Sequence, residues 1–352
     1  MKNFYNLKVL KVIALTNDSV CIQLDTSNID NGVFDFIAGQ YITVKHIINE
    51  EEIRRSYSIS SAPGEMIEIG VRLVQGGLMS TYLTKELQEG DMLDIMPPTG
   101  NFVLETKKDR EKHYMAICAG SGITPVLSMI KDVLRNEPNS SFTLLYGNKN
   151  RSSIMFSNEL LDLEQEFQSQ LLVYYVFSRE DVVNCIKGRI NTENLEQLFQ
   201  ENKNLESVDA YFLCGPSQMI DNVKQFLTER NVLGENISFE LFTTIDLASK
   251  KQDVSGNEIL SSVSVCVDGD DFNFSLSSNG SSILDAAMQE GADVPFSCKG
   301  GVCCVCKAKV ISGSVTMDQN FSLSEEEIAN GFILTCQSHP ASEEVQIDFD
   351  EI

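Results

Sequence analysis

The sequence predicts a multidomain α/β plus β protein with three consecutive domains: an antiparallel β-barrel over residues 1–107, a doubly wound parallel α/β domain over 108–243 and a small β-rich domain over 262–352. Three observations predict this order: apolar residues at a period of two in the first third, alternating strand and helix patterns in the middle, and a cysteine cluster in an acidic last quarter. The 352 residues exceed the roughly 100–200 of one domain, and a hydrophobic content of 42% suffices for separate cores.

The first domain contains short runs in which apolar and polar residues alternate, with turn residues between them. This pattern is typical of antiparallel strands that bury one face, and several such strands in succession favour a small barrel. The runs are LKVLKVIAL, VCIQL, YITVKHI, IEIGVRLV and MLDIM.

The second domain alternates continuous apolar runs with helical patterns, which predicts a parallel sheet covered by helices. The stretch 244–261 that follows is polar and has no sustained apolar period, so we expect a linker there. The strand runs are YMAICAG, FTLLYG, LLVYYVFS and DAYFLCG, and the helical patterns are PVLSMIKDVLRN, SNELLDLEQEF and SQMIDNVKQFLTER.

The charge and the cysteine content exclude several classes of function. Acidic residues outnumber basic ones by 51 to 27, for a net charge of −24, so we expect neither nucleic acid nor a membrane as a partner, but a protein with a basic docking patch. No stretch approaches ~18 consecutive apolar residues and no secretory segment is visible, which predicts a cytoplasmic protein. In that compartment ten cysteines indicate a metal site or redox chemistry rather than disulfides.

Four cysteines of the last domain, Cys298, Cys303, Cys306 and Cys336, show the spacing C-x4-C-x2-C followed by a distant fourth cysteine. This spacing is typical of plant-type [2Fe–2S] clusters, in which one loop supplies three thiolates and the fourth returns from elsewhere in the fold. A structural zinc site is the alternative, although zinc sites usually use C-x2-C pairs. Cys304 lies out of register, and we expect it to be a small packed side chain.

This region resembles a plant-type ferredoxin domain with a β-grasp fold, and the resemblance assigns the fourth ligand to Cys336 in ILTCQSHP. Residues 257–352 contain 16 Asp or Glu and 3 Lys, a net charge of −13, whereas the preceding 256 residues carry 35 acidic and 24 basic residues, a net charge of −11. The charge density therefore also sets the last domain apart.

The segment Arg-Arg-Ser-Tyr-Ser at 54–58 lies at the end of a predicted strand. Its Arg55, Tyr57 and Ser58 resemble the R-x-Y-S flavin motif of the ferredoxin-NADP reductase family. An arginine can clamp a pyrophosphate, a tyrosine can stack on the flavin ring, and a serine hydroxyl can hydrogen-bond the reactive flavin nitrogen. The alternative is ordinary surface chemistry on a strand.

The segment GGLMST at 76–81 strengthens the flavin prediction. In the family, backbone amides of this turn meet the flavin pyrophosphate at a helix start, which implicates Gly77, Met79, Ser80 and Thr81. The alternative is a helix capped by Ser80 or Thr81 near its N-terminus. We expect FAD rather than FMN, because the arginine and this turn both suit a pyrophosphate.

The segment GSGITP follows an apolar strand run and precedes a helical pattern, which predicts a phosphate-binding turn. It resembles the family's G-x-G-x-T-P and implicates Gly120, Gly122, Thr124 and Pro125 in binding a nicotinamide cosubstrate. Proline suits the first helical turn.

Two further segments resemble the family at later strand ends. Cys214-Gly215-Pro216 matches its C-G-P, in which the cysteine lies beside the nicotinamide; the alternative is a small buried hydrophobic residue. Glu240 and Phe242 match its closing Glu-x-aromatic, in which the ring covers the flavin and the carboxylate stays near the reacting atoms; the alternative is an ordinary edge-strand aromatic.

The choice between NADPH and NADH depends on the end of the third strand. A 2′-phosphate requires cations and no adjacent carboxylate. Ser178 and Arg179, with Lys149 and Arg151 near the previous strand end, favour NADPH, whereas the adjacent Glu180 weakens that case. The alternative for Arg179 is a solvated surface side chain. We expect NADPH.

The domain order resembles that of the reductase components of oxygenases, and the segments KGGVCCVCKAKVISGSV and MDQNFSLSEEEI resemble the reductase subunits that serve phenylacetyl-CoA epoxidases in phenylacetate catabolism. The resemblance implies an enzyme that passes electrons from NADPH, or NADH, through FAD and a [2Fe–2S] cluster to a di-iron oxygenase. Ser58, Cys214 and Glu240 are its predicted catalytic residues. Alternatives are a phthalate dioxygenase reductase-like protein, a diaphorase that needs no protein acceptor, and a non-catalytic iron–sulfur sensor or carrier.

Overall fold

The computed structural model describes residues 4–30, 32–242 and 258–351. These residues form two compact units, one up to residue 242 and one from residue 258 onward. Most of the predicted linker at 244–261 lies outside the described residues. In the part of the chain that the structure describes, no helix is both long and apolar enough to cross a membrane.

The first unit begins with a six-stranded antiparallel sheet in the order β4-β3-β6-β1-β2-β5. A bridge between Ile59 and Ile69 joins the two edges, so the sheet closes into the predicted barrel around an aliphatic core. A short helix α1 (Leu78–Thr81) follows the fifth strand. The strands are β1 (Tyr5–Thr16), β2 (Ser19–Asp25), β3 (Tyr41–Ile48), β4 (Glu51–Ser58), β5 (Glu68–Arg72) and β6 (Met92–Thr99).

The same unit continues into a parallel six-stranded sheet in the order β10-β9-β8-β7-β11-β12. Strands β8, β9 and β10 lie in succession on one side of β7, whereas β11 and β12 lie on its other side. The strand order therefore reverses between β7 and β11. The strands are β7 (His113–Ala119), β8 (Ser141–Asn148), β9 (Leu171–Phe177), β10 (Ile186–Lys187), β11 (Ala210–Gly215) and β12 (Ile237–Leu241), and the helices are α2 (Ile123–Asn136), α3 (Ser157–Glu166), α4 (Thr192–Glu201) and α5 (Ser217–Thr228).

A buried lysine on α2 joins the barrel to the parallel sheet. Lys131 Nζ donates to the Ser60 carbonyl oxygen at 3.0 Å and pairs with the Glu159 carboxylate at 2.5 Å, while only 4% of its side chain is exposed. One turn earlier, Ser128 Oγ donates to the Ser61 carbonyl oxygen at 2.6 Å. The segment directly after β4 is therefore held against the helix that follows β7.

The second unit is a mixed sheet in the order β14-β13-β19-β15-β17, with β13 parallel to β19 and the apolar side of one helix buried against it. This is the predicted β-grasp arrangement. Its first strand starts at Leu260, inside the range predicted as linker. Its elements are β13 (Leu260–Val267), β14 (Asp270–Ser277), α6 (Ile283–Gln289), β15 (Lys307–Ser312), β16 (Val315–Met317), α7 (Glu325–Ala329), β17 (Phe332–Leu334), β18 (Ser338–Pro340) and β19 (Glu344–Asp348).

Candidate active site and iron–sulfur centre

Three neighbouring strands of the parallel sheet align Cys118, Cys214 and Glu240 in one row near their carboxyl ends, since Cys214 is in register with both of the others. This row lies where the strand order reverses, and open α/β sheets bind their ligands at that point. The parallel sheet therefore brings two of the three predicted catalytic residues together.

The third predicted catalytic residue comes from the barrel. Ser58 is the last residue of β4, is buried, and donates from Oγ to Glu240 Oε2 at 3.3 Å across a sequence separation of 182 residues. Burial raises the pKa of Glu240 to about 8, although the bond from Ser58 opposes the rise. Burial, and then the proximity of Glu240, also raises the pKa of the Cys214 thiol. At neutral pH the cleft thus presents a hydroxyl, a largely protonated carboxyl and an un-ionised thiol.

The turn at Gly120–Gly122 follows β7 directly and leads into α2. Gly120 has a φ of +58°, and a Cβ at Gly122 would collide with the Cys214 carbonyl group, so both positions require glycine. Thr124 Oγ1 donates to the Ser121 carbonyl oxygen at 3.0 Å and holds the turn. Because α2 starts directly after this turn, its N-terminus lies at the carboxyl end of β7, as a phosphate site would require, and Pro125 lies in its first turn.

Arg72 is a residue that the sequence did not single out. It lies at the end of β5, and its Nη1 is 3.0 Å from the position that a Cβ on Gly120 would occupy. Its Nη2 donates to the Ser153 carbonyl oxygen at 2.5 Å. A barrel guanidinium therefore lies beside the phosphate-binding turn, which adds positive charge there. Only the alternation in IEIGVRLV could have indicated it.

The predicted 2′-phosphate residues Ser178 and Arg179 follow β9 and are exposed. The Arg179 amide donates to the Lys149 carbonyl oxygen at 2.9 Å, which keeps this segment against the end of β8. Glu180, which weakens the prediction of NADPH, accepts a hydrogen bond from the Arg151 backbone amide at 2.8 Å. Lys149, Arg151 and Arg179 thus supply three exposed cationic side chains after two neighbouring strands, and Glu180 already accepts a bond from the backbone.

The flavin motif lies at the end of β4, where burial increases from Arg55 to Ser58. Arg55 is exposed, with Nη1 bonded to the Arg54 carbonyl oxygen at 2.7 Å. Tyr57 is partly buried against the barrel core, and this burial raises the pKa of its hydroxyl. The exposed guanidinium, the ring of Tyr57 and the buried Ser58 hydroxyl are the groups that would meet a pyrophosphate, a flavin ring and a flavin nitrogen.

The predicted pyrophosphate turn has no side-chain cap. Gly77 is the N-cap of α1, and the Ser80 hydroxyl instead accepts from the Val74 amide at 3.1 Å and donates to the Gly77 carbonyl oxygen at 3.2 Å. Thr81 Oγ1 donates to the same carbonyl at 2.7 Å. These bonds shape the turn and leave the first amides of the helix, including that of Met79, available to an anion.

The remaining predicted residues lie at strand ends. Gly215 closes β11 with a φ of +156°, and Pro216 is the N-cap of α5. Phe242 follows β12 and is 38% exposed. The ring is therefore accessible to a ligand. That it covers the flavin remains a prediction.

The four predicted ligand cysteines converge in the second unit. The Cys298 amide donates to Cys303 Sγ at 3.4 Å, and the Gly300 amide donates to Cys298 Sγ at 3.3 Å. A hydrogen bond from the Cys303 thiol, followed by bonds from backbone amides, lowers the pKa of Cys298 to about 6. The thiols of Cys306 and Cys336 form a second hydrogen-bonded pair, in which the bond from Cys306 lowers the pKa of Cys336. Thiolate sulfurs that accept amide hydrogen bonds suit an iron–sulfur cluster.

The arrangement in pairs argues against zinc. Four sulfurs at about 2.3 Å from one tetrahedral zinc ion would lie about 3.8 Å from one another. Among the described residues, the only group of three or more potential ligands with atoms all within 4.8 Å of one another is Cys266, Asp348 and Asp350. The four thiols therefore form two pairs, which fits two irons. Cys304 packs against the core of this unit, as expected for a residue that is not a ligand.

Three family models match the chain. They are an oxidoreductase FAD-binding domain over residues 6–104, an oxidoreductase NAD-binding domain over 116–225 and a 2Fe-2S iron-sulfur cluster binding domain over 265–341. Fold and site together define a flavin-dependent oxidoreductase in which FAD, a [2Fe–2S] cluster and a nicotinamide cosubstrate act together. The fold and cofactor predictions are confirmed.

Similarity over the whole chain defines the family. One component of the 1,2-phenylacetyl-CoA epoxidase of Escherichia coli (strain K12) is 38% identical over 353 residues, which is 99% of each chain. The chain belongs to the family of that epoxidase component, which is a reductase. The ferredoxin reductase component of a 3-ketosteroid-9-alpha-monooxygenase from Mycobacterium tuberculosis (strain CDC 1551 / Oshkosh) is 28% identical over 90% of this chain and 86% of its own. The solved structure of phthalate dioxygenase reductase has the same fold, with a TM-score of 0.61, 24% identity and 98% coverage of both chains.

Proposed function

We propose that this chain is the reductase component of a multicomponent oxygenase and passes electrons from NADPH through FAD and its [2Fe–2S] cluster to the oxygenase component of a phenylacetyl-CoA epoxidase. The observation that carries the proposal is the contact between Ser58, from the flavin motif, and Glu240, beside Cys214 at the nicotinamide cleft. This contact brings the two predicted cofactor sites together.

The residues of the cleft position the reactants and exclude water. A bound flavin supplies the ability to accept two electrons from a nicotinamide and release them singly to an iron–sulfur cluster. Ser58 presents a fixed hydroxyl, and the packing of Gly122 on Cys214 sets how closely a nicotinamide can approach. Glu240 remains largely protonated at neutral pH and adds little negative charge beside the reacting atoms. Orientation of this kind lowers the barrier, because the entropy of bringing the reactants together is lost on binding and not in the reaction step.

Arg179, Lys149 and Arg151 support NADPH as the preferred cosubstrate, because they are exposed cations at the end of the nucleotide site. The variant Arg179→Ala is expected to raise the KM for NADPH about 10-fold, through the loss of one charge-assisted hydrogen bond, and to leave the KM for NADH unchanged. An equal change for both cosubstrates would contradict the assignment of the 2′-phosphate to Arg179.

The charge of the second unit supports a basic partner. Residues 258–351 carry 16 Asp or Glu and 3 Lys. Each lysine is already paired with a carboxylate: Lys299 with Asp285, Lys307 with Glu327 and Lys309 with Glu351. The remaining 13 acidic residues have no lysine of this unit to balance them, so the unit would attract a partner with a basic docking patch.

The test is the rate at which the full chain reduces the di-iron oxygenase component from the same host. At low salt we expect rapid NADPH-dependent reduction. The rate should fall about 10-fold as the ionic strength rises to about 0.3 M, because salt screens the attraction between the two charged surfaces. Reduction of a small neutral quinone serves as the control and should not depend on salt.

The alternatives give different results in the same assay. A phthalate dioxygenase reductase-like protein would reduce a Rieske oxygenase component faster than the di-iron component. A diaphorase would reduce the quinone and neither oxygenase component. A sensor or carrier would show the cluster spectrum without any NADPH-dependent reduction. A rate with the di-iron component that does not depend on salt would contradict the basic docking patch.

A further inference from the structure

Asn148, the last residue of β8, is buried, with 8% exposure, and yet neither its Nδ2 nor its Oδ1 has a hydrogen-bond partner among the described residues. A buried amide without partners is unfavourable, and such groups are rare unless a ligand or water satisfies them. The sequence pattern by itself assigned no role to this side chain.

The surroundings of Asn148 place its amide next to the phosphate-binding turn. Tyr146 lies two residues earlier and therefore points to the same face of the sheet. The Tyr146 hydroxyl donates its proton to the Gly120 carbonyl oxygen at 2.8 Å. The Asn148 side chain lies close enough to that hydroxyl to oppose the rise in the Tyr146 pKa that burial causes. The Asn148 amide thus lies near the Tyr146 hydroxyl, which itself contacts the Gly120 end of the phosphate-binding turn.

The position of β8 defines which part of a nucleotide would reach this amide. Its neighbours are β7, which ends at the Gly120–Gly122 turn, and β9, which ends at Ser178 and Arg179. A dinucleotide that extends from the turn to the 2′-phosphate residues must cross the end of β8. The segment that crosses there is the pyrophosphate and its adjoining ribose.

We propose that Asn148 is a binding residue for the nicotinamide cosubstrate, with its amide hydrogen-bonded to the ribose–pyrophosphate segment between the phosphate-binding turn and Arg179. This inference rests on the proposed function. An amide is uncharged, and this segment is common to NADPH and NADH, so the contact contributes equally to both. It differs in this respect from the contact proposed for Arg179.

The test is calorimetric binding of NADP⁺ and NAD⁺ to the oxidised full chain with its cofactors in place. Asn148→Ala is expected to raise the Kd about 10-fold for both nucleotides, which corresponds to about 1.4 kcal/mol. Its FAD content should match that of the unchanged protein and its melting temperature should change little, since the amide has no hydrogen bond of good geometry within the described residues. Asn158→Ala, which changes an exposed asparagine on α3, is the matched control and should leave both Kd values unchanged.

The remaining outcomes are distinct. Unchanged Kd values in Asn148→Ala would overturn the inference, as would a loss of affinity for NADP⁺ alone. A lower melting temperature with unchanged affinity would show that the amide only supports Tyr146, and Tyr146→Phe would then reproduce that drop. If the unchanged protein binds neither nucleotide, the proposed function fails together with the inference, whereas normal binding by both proteins overturns the inference alone.

Discussion

The two units of the chain build their sites in opposite ways. The first unit assembles its cleft from residues as far apart as Ser58 and Glu240, and its packing determines the geometry. The second unit takes three of its four ligands from one loop, Cys298 to Cys306, and only Cys336 comes from a distant segment. A site made by one loop is specified by residue spacing, whereas a site made by packing is specified only when the fold forms.

The electrostatics of the two units differ as well. The cleft of the first unit holds a carboxyl that burial keeps largely protonated at neutral pH. The second unit exposes carboxylates in large excess over its three lysines. Low charge at the cleft suits the transfer of electrons between bound reactants, and high charge at the surface suits recognition of a partner.

Substitution of a cluster ligand has the largest expected effect, because it should abolish the site of the second unit and leave the site of the first unit intact. Cys306→Ser is expected to abolish the iron–sulfur absorption and the bound iron, because a hydroxyl is a poor substitute for a thiolate in this site. NADPH should still reduce the flavin, since the cleft is built entirely within the first unit. Absorption spectra before and after anaerobic NADPH addition measure both effects.

Cys304→Ser is the matched control for that variant, because Cys304 lies in the same loop and packs against the core. It should keep its iron and its spectrum. Loss of iron in Cys304→Ser, or retention of a normal cluster in Cys306→Ser, would contradict the ligand assignment.

The next largest effect is expected from the loss of the Lys131 contacts that hold the barrel against the parallel sheet. Lys131→Met removes a buried cation and leaves the carboxylate of Glu159 and the carbonyl of Ser60 without their partner. Because the Glu159 side chain is 36% exposed, we expect a loss of about 1–3 kcal/mol of unfolding free energy, below the cost of breaking a fully buried pair. Urea unfolding followed by flavin fluorescence should show this loss, while the iron content stays unchanged.

The exposed Lys203 provides a matched control, and Lys203→Met should change the unfolding free energy by less than about 0.5 kcal/mol. Equal effects of the two lysine substitutions would mean that Lys131 does not hold the barrel against the parallel sheet.

The smallest effect concerns the pH dependence of the cleft. Because the pKa of Glu240 is raised from 4.5 to about 8, the folded chain keeps a proton that the unfolded chain loses across this range. The Glu240 contribution to stability is therefore complete below pH 4.5 and is lost as the pH rises to 8, by at most about 1.4 kcal/mol for each pH unit. Glu240→Gln should remove this decline, as shown by urea unfolding at pH 5 and pH 8.

Glu235→Gln, at an exposed position before β12, is the control and should keep the decline of the unchanged protein. If Glu240→Gln parallels the unchanged protein at both pH values, then Glu240 is ionised in the folded chain and the account of a largely protonated cleft is wrong.

Particular residues show where prediction from the sequence succeeds. The cysteine spacing predicts the iron–sulfur domain, and the alternation of strands and helices predicts the doubly wound sheet, because both are local patterns. The contact between Gly122 and Cys214 depends on packing and is visible only in the folded chain. Arg72 and Lys131 escaped prediction, since an arginine or lysine in an amphipathic pattern looks like any solvated side chain. The burial of Asn148 also depends on tertiary packing, which no window of the sequence records.

The central claim is that one chain joins a nicotinamide-reducible flavin to a one-electron iron–sulfur centre. The most direct measurement is the visible spectrum and metal content of the full chain, purified without oxygen and then mixed with NADPH. We expect absorption from both flavin and [2Fe–2S] cluster, about two irons per chain and rapid bleaching of both chromophores. Colourless protein, zinc in place of iron, or a cluster spectrum with no flavin to bleach would contradict it.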